Sequence, residues 1–287
     1  MTEITAPGAN PLKKFFRQPK LYITLPSKGK WWAQGSIEIP ENGEIEVYPM
    51  TAKDELTLKT PDALINGQST VDIIQSCIPC IKNAWMMPNI DLDAILIAIR
   101  IATYGNSLDL EITPPNTDLE RSFTLDLRQL LETMGEYEFS DDIVSDEYII
   151  KVRPLTYKEY TEAALQTFEE ERLFTLVNDE NMEQDKKLKA FGITFNKIRD
   201  LTVGMITNSI VSITVGDEVV TNMLHITDFI ENTDKSTFDL LTKHIEEEKE
   251  KFKTKPVTVT ADEEQIAAGA PETYEVPIVF DQANFFA

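Results

Sequence analysis

The sequence predicts an α+β protein of two related halves, each a β-hairpin or strand unit with a helical insertion and a closing β-hairpin. The first observation behind this is a stretch written twice. Val47-Tyr48-Pro49-Met50-Thr51-Ala52-Lys53-Asp54 returns as Val152-Arg153-Pro154-Leu155-Thr156-Tyr157-Lys158-Glu159, with the two prolines 105 positions apart. In each copy the proline stops a strand, because it donates no ladder hydrogen bond. The threonine then caps a helix, and Asp54 or Glu159 three places on completes a capping box. The second observation is that helical segments and then two alternating runs follow each copy, 108–113 and 122–127 in one, 257–260 and 274–279 in the other. The third is an acidic, turn-rich interval at 135–145 that separates the copies. The expected division is an arm at 1–20, a first half at 21–140 and a second half at 146–287.

The elements follow in chain order. Residues 1–10 are small and polar. Residues 11–20 hold four cations together with Leu12, Phe15 and Phe16, the most basic segment of an acidic chain. Such a segment suits an arm that inserts aromatics into a neighbour; the plainer alternative is that it folds back on its own body. Residues 21–25 form a strand halted by Pro26, and Ser27-Lys28-Gly29-Lys30 turn into Trp31-Trp32. Residues 37–39 and 45–48 are expected to pair as a hairpin across Pro40-Glu41-Asn42-Gly43. Short helices are expected at 51–58 and 60–65, and one capped by Ser69-Thr70 at 71–81 with Val71, Ile74, Ile78 and Ile81 on one stripe. The spacing of Leu92, Ile95, Leu96 and Ile99 predicts the strongest helix, over 91–102, with Gly105 as its C-cap. A hairpin spans 108–131. In the second half the pattern predicts a strand at 148–152 and helices at 157–177 and 188–212, the latter weakened by Gly192 and Gly204. A hairpin of 210–215 and 218–221 turns at Gly216-Asp217, helices cover 226–232 and 236–253, and a closing β segment runs from 257 to the end.

Composition limits the function. The net charge is −22, which argues against nucleic-acid binding, since that affinity rests largely on phosphate neutralisation by Lys and Arg. Acidity of this size favours solubility and docking onto a basic partner. Residues 1–11 carry neither a basic nor an apolar leader region, so no signal peptide is expected, and no apolar run reaches the roughly 18 residues of a membrane span. Two cysteines in 287 residues form no disulfide framework and fit a reducing cytoplasm.

No catalytic constellation stands out. Gly29-Lys30 lacks the preceding glycine and following hydroxyl residue of a phosphate loop. Cys77-Ile78-Pro79-Cys80 has the form of a thioredoxin-like site, but that chemistry needs a helix start, and here the motif sits near a helix end. Small buried hydrophobes are the expected role of both thiols. His225 and His244 stand too far apart for a zinc-finger pair. No cofactor, metal or small-molecule substrate is expected.

In six blocks the chain resembles the baseplate-hub and tail-assembly proteins of T4-like contractile-tailed phages. The blocks are Asn10-Pro11-Leu12 with 22–29, 47–55, Thr60-Pro61-Asp62-Ala63-Leu64-Ile65-Asn66-Gly67, 99–105, and Phe280-Asp281-Gln282-Ala283-Asn284-Phe285-Phe286. The resemblance implies a non-enzymatic protein that binds other baseplate hub and tail proteins in the host cytoplasm, with some members absent from the finished virion. Cysteine pairs that relatives carry in the two hairpin turns are replaced here by 113–116 and 260–263, so a zinc knuckle does not carry over. The expected contact residues are Leu12, Phe15, Phe16 and Arg17 of the arm, Lys28, Trp31 and Trp32 of the turn, and the terminal Phe285 and Phe286. The alternatives are a chaperone for the tape-measure protein, a redox or metal protein at Cys77 and Cys80, and an acidic mimic of DNA.

Overall fold

Both capping boxes form. In a computed structural model that describes residues 10–58, 67–145, 147–177 and 184–278, the Thr51 N–H donates to Asp54 Oδ2 at 2.7 Å while Thr51 Oγ1 accepts from the Asp54 N–H at 3.3 Å. At the second corner the Thr156 N–H donates to Glu159 Oε2 at 2.8 Å and Thr156 Oγ1 accepts from the Glu159 N–H at 3.2 Å. Each box satisfies two backbone donors that a helix start leaves orphaned, which is why a strand can turn into a helix within so few residues.

The fold is α+β, with helices between small antiparallel sheets. Strands β1 (Leu21–Ile23) and β2 (Ile45–Val47) pair, followed by α1 (Ala52–Leu58), α2 (Gln68–Cys77) and α3 (Leu92–Tyr104). Strands β3 (Ser107–Ile112) and β4 (Arg121–Asp126) make a hairpin that leads into α4 (Leu127–Glu136). A four-stranded sheet runs in the order β5 (Asp142–Val144), β6 (Ile149–Val152), β7 (Ile210–Val215), β8 (Glu218–Val220). Between β6 and β7 lie α5 (Tyr157–Val177) and α6 (Gln184–Ser209). Helices α7 (Met223–Asn232) and α8 (Lys235–Lys251) precede strand β9 (Val257–Thr260), α9 (Glu263–Ala267) and β10 (Thr273–Val276).

Several expectations need correction. Residues 37–39 do not pair with 45–48: β2 instead pairs with β1, Ile23 against Ile45, while Ile37 bridges Ile81. That choice buries Ile23, Ile45 and Val47 together in one core, which a local hairpin cannot do. The Pro40–Gly43 turn survives, with the Gly43 N–H on the Pro40 carbonyl at 2.9 Å. Residues 127–131 are helix, because the Asp126 carboxylate accepts from the Arg128 N–H and stops the strand. The expected boundary at 135–145 contains β5, whose Ile143 is buried against the second core. Helix α2 begins and ends earlier than 71–81, after the left-handed Gly67. Gly192 and Gly204 do not interrupt α6, which ends at Ser209 and not at 212, while 210–215 form the strand expected before the Gly216-Asp217 turn. The closing segment is not all β, since an Asp262–Gln265 capping box starts α9 inside the turn. The helix expected at 60–65 and the chain beyond 278 lie outside the described residues.

Helix α3 is mostly apolar, with Asp93 and Arg100 its charged residues, and Ile95, Ile97, Ala98 and Ile99 are fully buried, as befits a central core helix. It is closed by Gly105, whose φ of 95° favours glycine and whose N–H donates to the Ile101 carbonyl at 2.9 Å. The first core gathers around α3. A second gathers Ile150, Val152, Ile206, Ile213, Ile226 and Leu241, and a small third one holds the closing hairpin against Ile112. The cores exchange residues: Tyr157 belongs to the first, and Ile90 and Trp31 to the second. The second corner is built directly onto the segment before α3, with the Tyr157 N–H on the Met87 carbonyl at 2.7 Å and the Asn89 N–H on the Leu155 carbonyl at 2.8 Å.

Candidate interaction surface

The turn after β1 joins the two main cores. Asp91, at the start of α3, is fully buried and accepts three hydrogen bonds: the Ser27 N–H at 2.7 Å, the Ser27 hydroxyl at 2.5 Å and the Trp32 indole N–H at 3.0 Å. Burial pushes its pKa up to about 6 even though all three donors pull it down, because desolvation penalises the charged form. One position earlier, Trp31 has a φ of 64°, a conformation that is strained for a bulky side chain. It is held there by an edge-on contact with Phe139, ring centroids 5.2 Å apart. Lys28 reaches across to Glu138, whose pKa that contact lowers. The turn expected to face a partner also ties α3 to the second core: Trp31 and Trp32 are half-buried, and Lys28 is exposed and paired with Glu138.

The arm divides at Arg17. Before it, Asn10 caps a 3-10 helix over Pro11–Phe15 by accepting the Leu12 N–H. Its apolar side chains are offered to solvent: Leu12 is 59% exposed, Phe15 74% and Phe16 55%. Arg17 does the opposite. Its Nη1 donates to the Pro49 carbonyl at 2.7 Å and to Asp54 at 3.3 Å, and its Nη2 to the Ser76 carbonyl at 2.6 Å and hydroxyl at 2.9 Å. Expected as a contact residue, it is engaged within the fold and sets where the exposed aromatics emerge. At the second corner Arg153 plays the matching part, donating to the Pro154 carbonyl at 3.1 Å and to both oxygens of Glu159 at 2.7 and 2.9 Å. Burial alone would raise the Glu159 pKa, but Arg153 and the Thr156 donors outweigh it and hold it below the ordinary carboxylate value. Phe285 and Phe286 lie outside the described residues.

A cleft that sequence reading missed opens between α5, α6 and α8. It measures about 170 Å³. Ile90, Phe139, Leu155, Tyr160, Met205 and Ile245 give it an apolar lining. The Lys249 ammonium lies 4.7 Å over the Tyr160 ring, and burial, with Lys253 nearby, lowers its pKa. A second depression shares Leu155 and Met205 and adds Glu159, Glu162 and Asp200. No periodicity marks this site, because its wall residues come from a corner, three helices, the segment before α3 and the segment after α4.

The setting of the cysteine pair disfavours a thiolate. Cys77 ends α2 and is fully buried, and burial, with Asp54 beside it, pushes its thiol up to about 12. Burial raises Cys80 as well. A dipole that favours a thiolate is found at a helix start, and Cys77 stands at the other end. Native protein at about pH 8 is therefore expected to leave Cys77 unlabelled by a maleimide until denatured, read by intact mass; rapid labelling of the folded chain would revive a redox role. His244 Nε2 lies 2.9 Å from the Ser140 carbonyl. Among the described residues, no three His, Cys, Asp or Glu side chains are grouped as a metal site, and no helix is long and apolar enough to cross a membrane.

A family model described as "T4 bacteriophage base plate protein" matches residues 18–267. No curated protein and no solved structure matches the chain.

Proposed function

Since the chain belongs to the T4 bacteriophage base plate protein family, we propose that this base plate protein works without catalysis, binding other tail proteins while the central hub is built in the host cytoplasm. The observation that carries the reading is the arm. Leu12, Phe15 and Phe16 stand exposed beside Lys13 and Lys14, on a segment that Arg17 holds at a set place on the body. Exposed aromatics next to cations are the composition of interface anchors, and a fixed base lowers the ordering cost of docking. In this reading Phe285 and Phe286 are further contacts, while Lys28, Trp31 and Trp32 act by keeping the body in shape. The matching corners support treating 21–140 and 146–287 as related halves behind an arm at 1–20.

Phe15→Ala with Phe16→Ala is expected to abolish co-purification with hub components while the unfolding midpoint stays put. Unchanged co-purification would refute the proposal. The net charge of −22 favours one second reading, a chaperone that shields sticky segments of the tape-measure protein. Mass spectrometry of purified virions separates the two: a hub component is found at fixed copy number, and a departing chaperone is missing.

A further inference from the structure

We infer that the exposed arm docks in the apolar cleft of a second copy of this chain, so that the protein self-associates by arm exchange. The inference rests on the reading of the arm as a contact element and names its first partner. In a 3-10 turn residues three apart eclipse, so Leu12 and Phe15 form one apolar knob, with Lys13 and Lys14 beside it. The cleft between α5, α6 and α8 has about 170 Å³ of room, and an apolar cavity of ~150 Å³ holds one benzene ring. It can therefore take one phenyl group, and its walls are themselves aromatic and aliphatic.

Charge points the same way. Of the charged side chains lining the cleft and its adjoining depression, Lys249 is the single cation, while Glu162, Asp200 and Glu246 are carboxylates, as is Glu159, which Arg153 engages. Glu162 and Asp200 now meet Lys158 and Arg199 in exposed pairs, which are worth little and exchange readily. An acidic rim around an apolar floor complements a basic segment with an apolar knob, and the arm is the segment of this chain with that composition. Its own cleft does not hold it: no arm residue is among the lining, and Phe15 remains exposed. Arg17 fixes the arm's base on the first core at Pro49 and Ser76, whereas the cleft belongs mainly to the second.

Sedimentation velocity of the purified full chain across micromolar concentrations tests this. The wild type is expected to show reversible association. Phe15→Ser with Phe16→Ser is expected to weaken it by about tenfold or more, the range that loss of one buried phenyl group implies. Asp200→Lys with Glu246→Lys, on the exposed rim, is expected to weaken it as well. Because the arm variant keeps its cleft and the rim variant keeps its arm, an equimolar mixture is expected to regain a heterodimer. A chain that stays monomeric throughout would overturn the inference, as would association that survives either variant. If the chain is monomeric yet the Phe15→Ala/Phe16→Ala variant still loses hub components, the arm remains a contact element and only its second-copy partner falls.

Discussion

Asp91→Ala is expected to destabilise the protein by about 3–4 kcal/mol, because it strands three donors in a site that is closed to water. Each buried donor left without a partner costs roughly 1–3 kcal/mol, and the Ser27 N–H, the Ser27 hydroxyl and the Trp32 indole all lose theirs. The turn they hold also positions Trp31 against Phe139, so damage should pass from the first core to the second. Urea denaturation followed by tryptophan fluorescence reads the effect, and a change within about 0.5 kcal/mol would show that the cluster does not matter to stability. The same residue predicts a pH dependence. Its folded pKa lies at about 6, above the ordinary 3.8, so the native state keeps a proton that the unfolded chain releases. The stabilisation from protonated Asp91 is full below about pH 4 and is lost as the pH rises through about 6, by an amount on the order of 3 kcal/mol. Asp91→Asn carries no such proton. The difference in stability, wild type minus Asp91→Asn, should therefore fall between about pH 4 and about pH 7; a flat difference would mean that Asp91 ionises normally.

Arg17→Ala is expected to cost about 2–4 kcal/mol, the range for breaking a part-buried, charge-assisted network. It removes the donors serving the Pro49 and Ser76 carbonyls and leaves the buried Asp54 with its Thr51 contacts. Arg17→Lys should recover little, because a single ammonium cannot reproduce a planar fork that reaches acceptors in two directions. Chemical unfolding checks the stability, and limited proteolysis between Gln18 and Tyr22 checks whether the arm has come loose. Phe15→Ala and Phe16→Ala, a few ångströms along the same arm, should by contrast leave stability within about 0.5 kcal/mol. If Arg17→Ala behaves like the phenylalanine variants, the arm is not anchored as described.

The contrast within this arm shows where sequence reading stops. Composition marks Leu12, Phe15 and Phe16 as an aromatic and basic run that either projects or folds back, and the structure shows them projecting. Composition does not mark the role of Arg17, because its acceptors lie 32 and 59 positions away. Asp91 looks like an ordinary helix-start acid in the sequence, and Trp31-Trp32 looks like an exposed pair. Only the approach of β1 to α3 closes Ser27 and Trp32 over the carboxylate.

By itself the sequence determined what depends on neighbours along the chain: the two proline–threonine corners, the α3 core helix with its glycine stop, the Gly216 turn, and the place of Cys77 at a helix end. Each is decided within a few residues by caps, periodicity or a backbone that only glycine adopts freely. Tertiary structure alone decided which strand β2 pairs with, that 142–144 would join a sheet, and where the cleft opens. The two corners state the difference most plainly. Each binds an arginine to its capping carboxylate and proline carbonyl, yet Arg153 is next to its proline while Arg17 arrives from another part of the chain. At both corners the capping carboxylate meets a guanidinium in space, and adjacency in sequence is only one way to supply it.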